Sequence, residues 1–142
     1  MGFGLSEPEL PAPAPERTPE TDAFWNATAE GRLVLTRCDS CGMVIWYPRA
    51  LCPSCGCVTI SLVEASGHGT IYSFTVVHRG SGPYEDAVPY VVAYVELEEG
   101  PRVLTNIVGC TPDGVSIGQR VEIVFCDTGE GSALYRFEPT TG

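Results

Sequence analysis

Cys38-Asp39-Ser40-Cys41-Gly42 and Cys52-Pro53-Ser54-Cys55-Gly56 are two copies of one short pattern, Cys-x-x-Cys-Gly, and ten residues separate Cys41 from Cys52. The glycine after each second cysteine can take a positive φ without a Cβ clash, so backbone N–H groups of the turn can point at the sulfurs. Two such turns brought together supply four thiolates in a tetrahedron, the ligand set of structural zinc. We therefore predict a compact zinc ribbon whose metal ligands are Cys38, Cys41, Cys52 and Cys55.

Two disulfide bonds are the alternative use of these four cysteines. Disulfides persist in oxidising compartments, and the N-terminal sequence lacks the charged and then apolar pattern of a secretory signal. No stretch of the chain is long and apolar enough to span a membrane. We therefore expect a cytoplasmic protein that has no membrane segment and whose cysteines bind metal.

The charge balance bears on the class of partner. The chain of 142 residues has a formal net charge of −10, and all eight of its basic residues are arginines. Binding to the phosphate backbone of nucleic acids requires a positively charged surface. Aromatic residues in the C-terminal half could stack on bases, so an OB-fold nucleic-acid binder stays as the weaker alternative. We expect no nucleic-acid partner.

The N-terminal region divides into a tail and a helix. Residues 1–17 are rich in proline and contain almost nothing to bury, so we expect a disordered tail or linker. We assign residues 18–33 to a short helix, with Thr18 as the N-cap and Pro19 at the first helical position. Trp25 lies beside the apolar face of this helix, where it either packs on the chain's own ribbon or contacts a partner.

The ribbon is assigned to residues 34–62. Between its two cysteine turns, the segment Met43–Leu51 is strongly apolar and aromatic for a stretch that must lie near the surface. Such a small ribbon cannot bury all of it, so Trp46 and Tyr47 are covered either by the rest of the chain or by another molecule. Arg49 is either solvated or in contact with an anionic ligand or a partner carboxylate.

The remaining residues, 63–142, change to a pattern of short strands separated by glycine-rich turns. Five strands fit the five-stranded Greek-key barrel known as the OB-fold, whereas a β-sandwich would need more. We expect these strands to form a core separate from the ribbon. The predicted fold is mainly β, with the strands at Thr70–Arg79, Tyr90–Leu97, Arg102–Val108, Arg120–Phe125 and Ala133–Phe137.

The chain offers little for catalysis on its own. Zinc held by four cysteines has no open coordination position for water, and the nucleophile and phosphate-binding motifs are missing from the sequence. His68 is interpreted as a turn residue, and His78 either ends a strand or contributes to a shared active site. Cys57 is left outside the metal site, and Cys110 and Cys126 are interpreted as small buried apolar residues. We predict no catalytic residue.

Several of these features together resemble one known family. The paired cysteine turns are followed by Pro-Tyr-Val-Val-Ala-Tyr-Val-Glu-Leu at 89–97, by Ile-Gly-Gln-Arg-Val-Glu-Ile-Val-Phe at 117–125 and by Arg-Phe-Glu-Pro at 136–139. In this combination the chain resembles the DUF35 family over residues 18–139. That family joins a rubredoxin-like zinc ribbon to an acyl-CoA-associated OB-fold.

The resemblance implies an accessory subunit. Members of the family accompany thiolases, thiolase-like aldolases of the lipid-transfer-protein type and MaoC-type hydratases, several of them in sterol side-chain degradation. They dock on such an enzyme and complete its active site or its acyl-CoA channel. A free-standing acyl-CoA-binding protein is the alternative.

Residue by residue, the resemblance carries over a role only for the zinc ligands Cys38, Cys41, Cys52 and Cys55. It supplies neither a catalytic residue nor a motif for the CoA contacts. From the residues themselves, we predict partner contacts at Trp25, Trp46, Tyr47 and Arg49.

Overall fold

The computed structural model describes residues 10–140 and consists of one helix, a three-stranded sheet and a five-stranded barrel. This arrangement confirms the predicted mainly β fold. The helix and the small sheet comprise α1 (Asp22–Ala29), β1 (Val34–Cys38), β2 (Val44–Ile45) and β3 (Ile60–Glu64). The barrel comprises β4 (His68–Val77), β5 (Tyr90–Leu97), β6 (Arg102–Ile107), β7 (Arg120–Asp127) and β8 (Ala133–Pro139).

The helix is shorter than the predicted range. It begins at Asp22, because residues 18–21 form a separate turn in which the Thr21 N–H donates to the Thr18 carbonyl at 3.0 Å. The helix ends at Ala29, and Gly31 closes its C-terminal turn: the Gly31 φ is +76° and its N–H donates to the Thr28 carbonyl at 2.9 Å. Of the predicted tail, residues 1–9 lie outside the described residues.

The small sheet places the first cysteine turn. Its strand order is β2-β1-β3, with antiparallel pairing on both sides of β1. Thr36 pairs with Ile45 on one side and with Leu62 on the other. Since Cys38 is the last residue of β1, the sheet directs the chain into the first metal-binding turn.

The barrel closes in the order β4-β5-β6-β8-β7, and β4 pairs with both β5 and β7. All neighbours are antiparallel except β6 and β8. A β-bulge falls between Ile71 and Ser73, so Tyr72 is turned outward although the alternation predicts that it shares a face with Phe74 and Val76. Bulges insert one unpaired residue into a ladder, which a simple period of two does not reveal.

One hydrophobic cluster joins all three parts of the molecule. It contains Phe24 of the helix, Leu35 of the small sheet and Phe137 of the barrel, each at most 2% exposed. The expectation of a separate barrel core is therefore wrong. The reason is that α1 packs on β1, β7 and β8 at once, so its apolar face continues the barrel interior into the ribbon.

Candidate metal centre and docking surface

The four predicted metal ligands lie together at one end of the small sheet. The sulfur atoms of Cys38, Cys41, Cys52 and Cys55 all lie within 4.8 Å of one another. Two of the separations are 3.5 Å, between Cys38 and Cys55, and 3.7 Å, between Cys41 and Cys52. A tetrahedral zinc with bonds of about 2.3 Å places its sulfurs about 3.8 Å apart. The arrangement therefore fits a four-cysteine zinc site.

The glycine after each cysteine pair closes its turn. The Gly42 N–H donates to the Cys38 carbonyl, and the Gly56 N–H donates to the Cys52 carbonyl, each at 2.9 Å. Their φ angles are +80° and +78°, in the region where a side chain would be strained. This confirms the reason for expecting glycine at these two positions.

Backbone N–H groups also point at the buried sulfurs. The Cys41 N–H lies 3.5 Å from the sulfur of Cys38, and the Ser54 N–H lies 3.4 Å from the sulfur of Cys52. The hydrogen bond from Cys41, the largest effect, lowers the pKa of Cys38 to about 6 despite desolvation. The N–H of Cys55 has the corresponding effect on Cys52, whose pKa is also lowered. The lowered pKa values favour the thiolate forms of Cys38 and Cys52, which are the forms that bind metal.

Four thiolates cannot be packed together without a cation. The N–H of Cys57 favours the Cys55 thiolate, yet the adjacent Cys38 sulfur and burial together raise the pKa of Cys55 to about 12. A divalent ion would relieve this repulsion and hold the two turns together as a closed structural site. Cys57 itself does not belong to the sulfur cluster, in agreement with the prediction.

The aromatic residues predicted to contact a partner surround one buried ring. Phe24 has its ring centroid 4.8 Å from Trp25, 5.3 Å from Trp46, 5.9 Å from Tyr47 and 5.9 Å from Tyr135, each pair in edge-to-face geometry. Such pairs contribute about 0.5–1.5 kcal/mol each beyond the area they bury. Helix, ribbon and barrel therefore meet at a cluster of five aromatic rings.

The four residues predicted to contact a partner differ in the exposed fraction of their side chains. Trp25 is 4% exposed, so its contacts are with the chain's own residues. Trp46 is half-buried, whereas Tyr47 is 38% exposed and Arg49 is exposed. The exposed pair borders a cavity of about 400 Å³, which we call the ribbon cavity and which is lined by Glu20, Tyr47, Pro48, Arg49, Leu51 and Pro53.

A second exposed apolar area lies on the outer face of the barrel. Tyr72, Tyr94 and Leu104 are between 46% and 50% exposed. The guanidinium carbon of Arg102 lies 3.8 Å from the centroid of the Tyr72 ring, a cation–π contact. Tyr94 and Leu104 alternate regularly with buried neighbours along β5 and β6, whereas Tyr72 reaches this barrel patch at the bulge in β4.

The other candidate residues lie at the surface. His68 is exposed at the start of β4, and His78 is exposed just after its end. Cys126 is half-buried, but Cys110 is exposed, so the interpretation of Cys110 as a buried residue is wrong. It lies in the connection between β6 and β7, just before the short 3₁₀ turn at Pro112–Gly114. Among residues 10–140, no helix has both the length and the apolarity needed to cross a lipid bilayer.

Two family models match the chain. One is described as the ChsH2 rubredoxin-like zinc ribbon domain and matches residues 25–56. The other is described as the ChsH2 C-terminal OB-fold domain and matches residues 62–126. The first range covers part of α1, the strands β1 and β2 and both cysteine turns, and the second covers β4, β5, β6 and most of β7.

Two curated relatives differ in length. A DUF35 domain-containing scaffold protein of Methanothermobacter thermautotrophicus is 39% identical over 86% of this chain and 98% of its own. A probable enoyl-CoA hydratase alpha subunit of Thermomonospora curvata is 40% identical over 91% of this chain. The chain spans only 40% of the length of that hydratase subunit.

A solved structure has the same architecture. The Ltp2-ChsH2(DUF35) aldolase contains a chain that is 36% identical to this one and superposes with a TM-score of 0.80. The match covers 89% of this chain and 98% of that chain. The similarity therefore extends over the helix, the ribbon and the barrel together.

Proposed function

The chain belongs to the DUF35 family, with ChsH2-type zinc ribbon and OB-fold domains, and we propose that it is a non-catalytic subunit that docks on and completes an acyl-CoA-processing enzyme. The partner is a thiolase-like enzyme or aldolase, or a hydratase of the MaoC type. The observation that carries this proposal is the near full-length similarity to the DUF35 chain of the Ltp2-ChsH2(DUF35) aldolase.

The chemistry of the metal centre supports a structural role. Four clustered cysteines fill the coordination sphere of zinc, so the ion would stiffen the ribbon and activate no water. Cys38 and Cys52 are also fully buried. The centre would therefore shape a docking surface, and the partner would supply the catalytic groups.

We place the docking surface at the ribbon cavity. Tyr47 offers a large exposed ring, Arg49 an exposed cation, and Leu51 an apolar side chain on the same side. Interfaces are enriched in tyrosine and arginine, which act as anchors. The Ala50 N–H donates to the Glu20 carboxylate at 2.8 Å, so the turn that carries these side chains is tied to the residues preceding α1. A fixed turn loses little conformational entropy when a partner binds.

Co-expression with a candidate thiolase-like, aldolase or hydratase subunit tests the proposal. We expect one stable complex on size-exclusion chromatography, and enzymatic activity that falls at least tenfold when this chain is withheld. Full activity of the partner alone, with no complex formed, would refute it. Calorimetric binding of CoA by the isolated chain would then favour a free-standing acyl-CoA-binding protein.

Matched variants test the docking surface separately. Tyr47→Ala with Leu51→Ser should weaken the complex at least tenfold while the zinc content stays unchanged. Tyr94→Ala with Leu104→Ser removes a similar apolar area from the barrel patch and should leave the complex intact. The opposite result would move the interface to the barrel without affecting the proposed function.

A further inference from the structure

The two cysteine turns are held in place by different contacts. The first turn, residues 38–42, continues directly from β1, whose last residue, Cys38, pairs with Ile60 of β3. The next residue is attached to the same side, since the Asp39 N–H donates to the Thr59 carbonyl at 3.0 Å. Pairing with the β3 side of the sheet therefore extends from the strand into the first turn.

A side chain gives the first turn a further attachment. Ser61 lies on β3, and its hydroxyl donates to the Asp39 carboxylate, whose two oxygens lie 2.7 and 2.9 Å away. A hydrogen bond to a charged acceptor is roughly twice as strong as one between neutral groups. The first turn is thus attached to β3 by its backbone and by a side chain, and neither contact involves a sulfur atom.

The second turn, residues 52–56, lacks such attachments. It lies within residues 46–59, which contain no strand. The Cys52 N–H donates to the Cys57 carbonyl and the Gly56 N–H donates to the Cys52 carbonyl, so both bonds are local. Within the described range 10–140, the hydrogen-bond contacts between this turn and the chain beyond Cys57 all run through its two sulfur atoms.

Apolar packing does not replace these missing contacts. We call residues 49–59 the ribbon loop. Nine of these eleven residues are exposed, Cys57 is half-buried, and the one buried residue is the metal ligand Cys52. Ordering an exposed segment costs conformational entropy, which some contact must offset. Coordination by Cys52 and Cys55 is the contact available, because metal binding at such a site is coupled to folding.

The ribbon loop forms half of the docking surface. The ribbon cavity is lined on one side by Glu20, Tyr47 and Pro48 and on the other by Arg49, Leu51 and Pro53 of the ribbon loop. The first side is fixed by the protein itself, since Tyr47 contacts the buried ring of Phe24 and Pro48 is buried. One hydrogen bond, from the Ala50 N–H to the Glu20 carboxylate, joins the two sides. The other attachment of the ribbon loop is the metal-binding turn.

We propose that the metal centre controls docking: the ribbon loop takes its docking conformation only when Cys52 and Cys55 bind the ion, so the partner enzyme recognises the metal-loaded chain. This inference rests on the docking surface of the proposed function. The first turn stays attached to β3 without the ion and offers Cys38 and Cys41 as a preformed half of the site. Coupling between two binding sites is reciprocal, so the docked partner raises the metal affinity by the factor by which the metal raises the partner affinity.

Hydrogen exchange of two matched amides, followed by ¹⁵N NMR on the full-length chain, tests the first step. The Gly42 and Gly56 N–H groups make equivalent hydrogen bonds of 2.9 Å, one in each turn. We compare the zinc-loaded chain with the same chain freed of zinc by a chelator under reducing conditions. Removal of zinc should accelerate exchange at Gly56 at least tenfold more than at Gly42. Equal acceleration at both glycines would overturn the inference.

A variant of β3 tests why the two turns differ. Ser61→Ala removes the side-chain attachment of the first turn, so in the zinc-free chain it should accelerate exchange at Gly42 and leave Gly56 unchanged. Ser54→Ala alters an exposed serine of the second turn and is the matched control, which should leave both rates at their native values. Native exchange at Gly42 in the zinc-free Ser61→Ala chain would contradict the role assigned to this attachment.

Binding to the partner subunit found by co-expression tests the second step. The zinc-free chain should bind at least tenfold more weakly than the zinc-loaded chain, and chelator competition should show that the partner raises the zinc affinity by the same factor. Equal binding of the two forms would overturn the inference and leave the proposed function standing. If the zinc-loaded chain forms no complex, the proposed function fails, and the two glycine exchange rates still decide whether the metal orders the ribbon loop.

Discussion

At the scale of single residues, the buried position of Tyr135 changes the pKa of its hydroxyl group. The residue is on β8, and its ring contacts Phe24, Trp25 and Trp46 where the three parts of the chain meet. Burial, and to a lesser degree the nearby Tyr47 hydroxyl, raise the pKa of Tyr135 well above its ordinary value of about 10. The native state therefore holds this phenol in its neutral form.

The raised pKa predicts a loss of stability at alkaline pH. Above about pH 10 the unfolded chain releases the Tyr135 proton while the native chain keeps it, so stability falls as the pH rises, by about 1.4 kcal/mol per pH unit. Tyr135→Phe removes this contribution, because phenylalanine has no proton to lose. Urea unfolding at pH 9 and pH 11 should show a smaller loss for the variant than for the wild type. Tyr94→Phe controls for removal of an exposed phenol, and equal losses in wild type and Tyr135→Phe would contradict the prediction.

At the scale of elements, the helix is tied to the barrel by one hydroxyl group. Thr28 is 1% exposed, and its Oγ1 donates to the Trp25 carbonyl at 2.6 Å. The same oxygen accepts the Ala133 N–H of β8 at 3.1 Å. An isolated helix of eight residues would be marginal in water, so docking of this kind keeps α1 formed.

Thr28→Val tests this connection. Valine keeps the shape of threonine but leaves the Ala133 N–H without that acceptor, at an expected cost of about 1–3 kcal/mol in the free energy of unfolding. Thr28→Ser keeps the hydroxyl and should retain more of the wild-type stability than the valine variant does. Urea denaturation followed by circular dichroism provides the comparison. A valine variant as stable as the wild type would show that the hydroxyl is dispensable.

At the scale of the whole molecule, the strand β1 links the metal site to the barrel, because β1 ends at the ligand Cys38 and also packs in the main hydrophobic cluster. The helix, β1 and the barrel share one hydrophobic cluster, whereas Cys38, Cys52 and Ile45 form a small second cluster beside the metal centre. Loss of the ion would free Cys38, the last residue of β1. Because Leu35 of the same strand belongs to the main hydrophobic cluster, this would also loosen the packing of the main core. Metal binding should therefore support more than the ribbon.

Cys41→Ser should reveal this coupling. Structural zinc contributes about 10–16 kcal/mol in small sites, so losing one thiolate should release the metal. We expect the zinc content to fall to near zero and the thermal midpoint of the barrel, monitored by far-ultraviolet circular dichroism, to fall by at least 5 °C. Cys57→Ser removes a neighbouring thiol outside the sulfur cluster and should leave both quantities unchanged. A zinc-free Cys41→Ser chain whose barrel melts at the wild-type temperature would show that the two parts are independent.

The sequence by itself determined the features that depend on neighbouring residues. The spacing of the two Cys-x-x-Cys-Gly turns predicted the sulfur cluster of Cys38, Cys41, Cys52 and Cys55, and the glycine-rich breaks predicted five barrel strands within a few residues of their observed ends. Both patterns are local, because a turn or a strand is specified by a few adjacent residues. The positions and boundaries of the elements could therefore be predicted from short stretches of chain.

Only the tertiary structure decided which surfaces are covered. Trp25 and Trp46 pack around Phe24, Tyr72 is turned outward by a bulge, and Arg136 is buried by a segment that the sequence predicted to be a disordered tail. Each outcome depends on contacts between residues far apart in the chain, such as Thr28 with Ala133 or Leu10 with Arg136. Hydrophobic periodicity records that a side chain must be buried but not what buries it. The packing of distant elements against one another makes that choice.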